Sequence, residues 1–191
     1  MFTLQTPATA TYEEKQSKFI AHLIPYSLYK ATLEHLKQEH PKARHFVTSY
    51  RYINEYDQIV ENSSDDGEPK GTSGKPTLAV LQGKELVNIA VIVVRYFGGT
   101  KLGTGGLVRA YSEAVNMALA SAELLEYKKL FSKCLQFSYS DTSKVEYECN
   151  RLHVEVIEKN FEADVKFVVQ ADEKVLGELV EVLGRTVVAC P

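Results

Sequence analysis

The apolar positions of the chain fall into blocks whose spacing switches between the period of a strand and that of a helix. SKFIAHLIPY at 17–26 is short, rich in apolar residues and closed by Pro25, which predicts a strand. In 27–41 the spacing of Leu28, Leu33 and Leu36 predicts a helix, with Ser27 as its N-cap and Pro41 as its stop. ARHFVTSYRYI at 43–53 is dense in β-branched and aromatic residues and predicts a strand, with YDQIVE at 56–61 as an antiparallel partner. TLAVLQG at 77–83 predicts a short helix ended by Gly83. VNIAVIVVRYF at 87–97 is continuously apolar, the pattern of a strand buried on both faces. Leu107, Ala110, Ala114, Val115, Ala118 and Ala122 form one stripe and predict a long helix over 107–127, starting at a glycine turn.

Beyond this helix the rhythm changes. KLFSKCLQFSYS at 129–140 alternates through Phe131, Lys133, Leu135, Phe137 and Tyr139, and Asp141 is placed to cap a helix carrying Val145, Cys149 and Leu152. HVEVIEKNF turns into FEADVKFVVQ, where Phe161, Ala163, Val165, Phe167 and Val169 are expected on one face. ADEKVLGELVEVLG predicts a helix ended by Gly184, and RTVVAC a last strand. That order is β-α-β-β-α-β, the split ferredoxin-like unit. The expectation is an α+β protein of two domains, 1–127 and 128–191.

Composition narrows the classes. The 191 residues are 45% hydrophobic and 25% charged, ordinary for a globular protein. No apolar run has membrane-spanning length, and the N-terminal MFTLQTPATATYEEK lacks a signal-peptide pattern. A net charge of −3 supplies no general surplus for a phosphate backbone, so nucleic acid would require a local basic patch. Cys134, Cys149 and Cys190 are an odd count without close spacing. They predict a reducing, cytoplasmic setting and neither a disulfide framework nor a zinc site.

Two runs carry the candidate chemistry. RYFGGTKLGTGGLVRAY at 95–111 places a glycine-rich bend between a buried strand and a helix start, where backbone N–H groups and the helix dipole favour an anion. Gly98, Gly99, Gly103, Gly105 and Gly106 permit close approach, and Arg95, Lys101 and Arg109 are cationic donors for such an anion. Neither standard phosphate motif fits: the dinucleotide pattern counted from Gly103 would need glycine at Val108, and the Walker pattern would need it at Pro69. A tight turn packed against its neighbours accounts for the run equally well. DDGEPKGTSGKP at 65–76 offers Asp65, Asp66 and Glu68 as candidate Mg²⁺ ligands, or as acids that cap the next helix and pair with Lys70 and Lys75. His45, on a strand beside this loop, is a candidate acid, base or donor. Tyr50, Tyr52, Tyr56, Tyr96 and Tyr111 are candidates for stacking, although strand aromatics usually pack.

SKF at 17–19, ARH at 43–45, DDGEPKGTSGKP and VIVVRYFGGTKLGTGGLVRAY together resemble the bacterial YigZ branch of the IMPACT family. The strong motifs lie between residues 17 and 115; the second half resembles that branch by pattern and position only. The resemblance implies an N-terminal two-layer α/β domain of the kind found in a ribosomal small-subunit protein and in domain IV of elongation factor G. A ferredoxin-like domain would follow. It marks His45, Asp65, Asp66, Gly67, Glu68, Pro69, Gly71, Gly74, Pro76, Arg95, Tyr96 and Arg109, with the glycines of the bend, as signature positions; Lys75 and Lys101 join them as candidate ligand-binding residues. Where many bacterial members carry a cysteine two residues after the histidine, this chain has Val47, so a thiol nucleophile there is not a general mechanism.

Three readings follow. The first is a non-enzymatic binding protein linked to translation through RNA, the ribosome or a translation factor. The second is a metal-assisted enzyme acting on a phosphorylated small molecule or nucleotide. The third is structural, with the acidic loop tying down the glycine loop by charge-assisted bonds. The first needs no cofactor; the second would use Mg²⁺. None implies a membrane or fixes the oligomeric state.

Overall fold

The fold was obtained as a computed structural model and describes residues 1–190. Two compact units divide it, Met1–Tyr127 and the part from Lys128 onward. The first contains β1 (Phe2–Thr3), β2 (Ala8–Glu14), β3 (Ser17–Pro25), α1 (Tyr29–Glu39), β4 (His45–Ile53), β5 (Ile59–Ser64), α2 (Gly74–Gly83), β6 (Ile89–Tyr96), α3 (Gly103–Ala120) and β7 (Leu125–Glu126). Strands β2-β3-β6-β4-β5 form one antiparallel sheet. The apolar run lands at its centre: from Ile89 to Arg95 every residue of β6 is buried.

Side chains alternate across a strand, so β6 divides its residues between two cores. Val91 and Val93 point to the face covered by α2 and α3, where Leu81, Leu107, Tyr111, Ala114 and Val115 meet Phe19, Leu23 and Val47. Ala90, Ile92 and Val94 point to the other face, which α1 shields through Leu33 and Leu36. The amphipathic stripe of α3 is thus the lid over one half of the sheet, and its first turn sits at the sheet's end.

Several boundaries differ from expectation, each for a local reason. The N-terminal segment, assigned no element from sequence, supplies β1 and the edge strand β2, whose residues alternate between inward and outward positions. Ser27 does not cap α1; it lies in a 3₁₀ turn, Tyr26–Leu28, and no side chain caps the helix. β5 starts at Ile59 because Asn54 Oδ1 accepts the N–H groups of Tyr56 and Gln58 and closes a turn. α2 begins at Gly74 and α3 at Gly103, inside the glycine-rich runs, while Leu125–Glu126 leaves the long helix to pair with β1.

The second unit contains β8 (Phe131–Phe137), α4 (Thr142–Arg151), β9 (Glu155–Phe161), β10 (Val165–Ala171), α5 (Glu173–Leu183) and β11 (Val188–Ala189). Its antiparallel sheet has the order β11-β8-β10-β9, the ferredoxin-like arrangement. Phe137, Val145, Cys149, Phe167 and Leu179 build its core. Asp172 caps α5 by accepting the Val175 N–H at 3.0 Å. Asp141 stands at the expected cap of α4, but its carboxylate takes the Ser138 hydroxyl instead. Residues 162–164 form the β9–β10 turn, so Phe161 belongs to β9, where its ring still meets Phe167 at 6.1 Å. The cysteine expectation is corrected. Cys134 on β8 and Cys190 just after β11 are joined in a disulfide, and Cys149 is the buried free thiol. The partners are 56 residues apart, and only the β11–β8 pairing brings them together. No described helix is long and apolar enough to cross a membrane.

Candidate functional site

Register places the site at one end of the first sheet. Phe19 on β3 stands opposite Arg95 on β6, and Arg95 stands opposite His45 on β4. Residues directly opposite share a face, so these three form a row under α3. Arg95 is 5% exposed, and its guanidinium lies 5.3 Å from the Phe19 ring centroid and 5.7 Å from that of Phe97. A cation in such surroundings requires a counter-charge. Glu68 provides it: Arg95 Nη1 donates to Glu68 Oε1, and the Tyr111 hydroxyl donates to the same oxygen at 2.8 Å. His45 Nε2 lies 3.9 Å from it. Burial first, and then the Glu68 carboxylate, hold the Tyr111 hydroxyl protonated, its pKa far above the phenolic range.

The acidic hairpin is bent so that Glu68 reaches inward. Asp66 and Gly67 both have positive φ, 44° and 85°; the bend is left-handed at two successive positions, which a glycine makes inexpensive. Asp65 fixes the loop. Its carboxylate accepts the N–H groups of Gly71 at 2.7 Å, Ser73 at 3.2 Å and Gly74 at 2.8 Å, and the Ser73 hydroxyl at 2.7 Å. Burial pushes its pKa up, but these four donors outweigh it and leave the carboxyl below its ordinary value. Asp66 Oδ2 accepts the Phe46 N–H at 2.6 Å, and its carbonyl accepts from His45 Nδ1 at 2.8 Å. A carbonyl can only accept, so Nδ1 carries the proton and Nε2 is the nitrogen turned toward Glu68.

The glycine bend closes the other side. At Gly98 a Cβ would stand 2.0 Å from the Gln16 carbonyl carbon and 2.2 Å from the Ser17 nitrogen, so no side chain fits. The Gly98 N–H donates to the Ser17 hydroxyl at 3.1 Å, which fastens the bend to the β2–β3 turn. α3 starts at Gly103 without a side-chain cap and without an acid in its first turn. Its first N–H groups therefore add partial positive charge at the helix start. Between hairpin and bend lies a cavity of about 310 Å³. Glu68 and Arg95 stand in it, Pro69, Phe97, Leu102 and Leu107 give apolar walls, and Lys101, Gly103 and Thr104 complete the lining.

The two sequence runs thus meet at one cavity, but not every residue singled out reaches it. The acids do not form a ligand set: Asp65 turns into its own loop, Asp66 to β4 and Glu68 to Arg95. Among the described residues no group of three His, Cys, Asp or Glu is arranged to hold a metal. Nor do the acids bond the glycine bend, as the structural reading expected; Ser17 does that. Tyr96 faces the opposite side of the sheet, where its hydroxyl meets His40 Nδ1 at 2.9 Å. Gly106 and Arg109 line a separate cavity with Tyr12, Glu14 and Lys15, so Arg109 does not join Arg95 and Lys101 around one anion. Gly71 and Lys75 border another groove with Val108 and Ser112. Gly99 has φ 88° beside open space, and Gly105 meets nothing within 4 Å of a Cβ. The roles of Tyr111, Phe19 and Phe97 were not read from sequence. Tyr111 had a signal, one turn after Leu107 on the core stripe of α3.

This fold and site define a two-domain α+β protein whose candidate site lies in its first unit. The Impact N-terminal domain matches residues 15–119, more than half of the chain. An IMPACT family member of Haemophilus influenzae is 38% identical, over 86% of this chain and 81% of its own length. The IMPACT family member YigZ of Escherichia coli is also 38% identical, covering 83% of this chain and 79% of its own. A crystal structure of a protein described only as hypothetical superposes with a TM-score of 0.71 at 33% identity, over 100% of this chain and 97% of that one. The chain belongs to the IMPACT family.

Proposed function

We propose that the chain is a non-enzymatic binding protein linked to translation, and that its first domain accepts an anionic group of an RNA partner, free or on the ribosome. One observation carries the reading. The uncapped start of α3 opens on a cavity that also holds Lys101, with Arg95 behind it already paired to Glu68. Such a helix start, with a cationic side chain beside it, is suited to a phosphate. Family membership and the resemblance of the Impact-type domain to translation-factor and ribosomal-protein domains supply the link to translation; a translation factor as partner would use the same resemblance. The enzyme reading keeps the cavity but loses the proposed metal set, because the three carboxylates diverge.

Filter binding of ribosomal RNA and intact ribosomes at two salt concentrations tests the proposal. Affinity that falls with salt, and falls further in Lys101→Ala, is expected. No affinity, or affinity indifferent to salt, would overturn it.

A further inference from the structure

Among the described residues every contact of the Glu68 carboxylate falls on Oε1, while Oε2 takes no hydrogen bond although the side chain is only 4% exposed. Beside it, Arg95 Nε is buried without a partner. Buried polar atoms are nearly always paired, so the Arg95 donor left over at this cavity is an atom in want of a ligand, and Glu68 Oε2 beside it is an acceptor with its capacity free. The cavity around them is apolar on its sides and cationic at one end. Phe97, 46% exposed, holds an aromatic ring there that the core does not require. Its volume of about 310 Å³ is at the small end of ligand sites, which run from ~300 to 1,000 Å³. That suits one compact group and not a peptide or a helix.

A ligand matching these features has a planar apolar body, an N–H donor on its edge and an anionic group a short distance away. We propose that the cavity takes a single nucleotide unit. This deepens the reading of an anion-accepting pocket and rests on it. The phosphate sits at Lys101 and the first N–H groups of α3. The base stacks on Phe97, between the walls given by Pro69 and Leu107. An amino group on the base edge donates to Glu68 Oε2, which favours adenine, cytosine and guanine over uracil, whose N3–H is flanked by two carbonyl oxygens that a carboxylate repels. The same chemistry is offered by a free nucleoside monophosphate and by an unpaired nucleotide of RNA.

Calorimetric titration of the full chain with AMP, CMP, GMP, UMP, ribose 5-phosphate and inorganic phosphate tests this. At least one amino-bearing nucleotide is expected to bind about tenfold more tightly than ribose 5-phosphate, the scale of one base–aromatic stack. Phe97→Ala and Lys101→Ala, both at exposed positions, are expected to weaken it about tenfold each with far-UV circular dichroism unchanged, Phe97→Ala lowering the melting temperature slightly because its ring also lies 5.7 Å from the Arg95 guanidinium. Glu68→Gln is expected to erase the preference against UMP. Ribose 5-phosphate binding as tightly as every nucleotide, no nucleotide binding, or nucleotide binding that neither exposed variant weakens would overturn the proposal. Competition separates the sources: displacement of a short unpaired RNA by mononucleotide assigns the cavity to RNA, and mononucleotide binding without RNA affinity assigns it to the free nucleotide. The latter outcome removes the RNA function and leaves the nucleotide cavity standing. Salt-dependent RNA binding that Lys101→Ala weakens and Phe97→Ala does not, with no mononucleotide bound, does the reverse.

Discussion

Removing either member of the Glu68–Arg95 pair should cost more than removing both. The two side chains are 4% and 6% exposed, so Arg95→Met leaves a carboxylate, and Glu68→Leu a guanidinium, buried without a counter-charge. Breaking a buried pair from one side typically costs 3–5 kcal/mol, roughly the range expected for each single variant. The double variant replaces both charges with apolar volume among Phe19, Phe97 and Leu107, and should lose less than either single. Tyr111→Phe removes one hydrogen bond to the same carboxylate and should cost about 2 kcal/mol. Urea denaturation followed by far-UV circular dichroism gives the free energies, and hydrogen exchange in β4 and β6 assigns the losses to the first unit. Salt at 1 M should leave the coupling almost unchanged, because a buried pair is poorly screened. Single losses below about 1 kcal/mol, or losses that simply add, would refute the view that this pair is a desolvated unit.

Other outcomes follow from the same geometry. Asp65→Ala should cost about 2 kcal/mol at neutral pH, the upper end for a lost helix cap. Since the folded carboxyl titrates below its ordinary value of 3.8, that contribution is complete above this pH and fades as pH falls through the lower folded value; acid titration of wild type against the variant should show the curves converging there. Gly98→Ala must displace the β2–β3 turn or the bend, and should lower stability by about 3 kcal/mol and abolish ligand binding, read by thermal melting and calorimetry. Reducing Cys134–Cys190 releases a 56-residue separation and should destabilise the second unit by up to about 4 kcal/mol, with hydrogen exchange in the first unit unchanged. Thiol labelling in cell lysate would show whether this bond survives where glutathione keeps most thiols reduced.

Elements with a strong period were legible in the sequence: the continuous apolar run became β6, the alanine-rich stripe became α3, and the βαββαβ order of the second half was visible from alternation and caps. Their starts were not, because a glycine run gives no periodicity. Gly74 and Gly103 take helical positions where Asp65 receives the first amide of α2 and Leu107, in the second turn of α3, packs into the core. The edge strand β2 is hard to read because Ala8, Ala10 and Glu14, poor strand markers, hold three of its inward positions, and it gains its order from pairing with β3. At the site, composition marked the acids and glycines but could not say which way each side chain turns. Tyr96 and Arg95 are neighbours in sequence and lie on opposite faces of the sheet; one carries the pocket and the other supports α1. Likewise the three acids look like a ligand set in one dimension, and separate once Asp66 and Gly67 adopt positive φ.

The central claim is that the acidic hairpin and the glycine bend bound one ligand-accepting cavity. Titrating ¹⁵N-labelled protein with AMP, CMP and GMP while recording amide and arginine Nε–H resonances tests it most directly. With at least one of the three nucleotides, the amides of Glu68 and Lys101–Gly105 and the Arg95 Nε–H should shift together along one saturable curve. Shifts confined to other surfaces, with these resonances still at saturation, would contradict it.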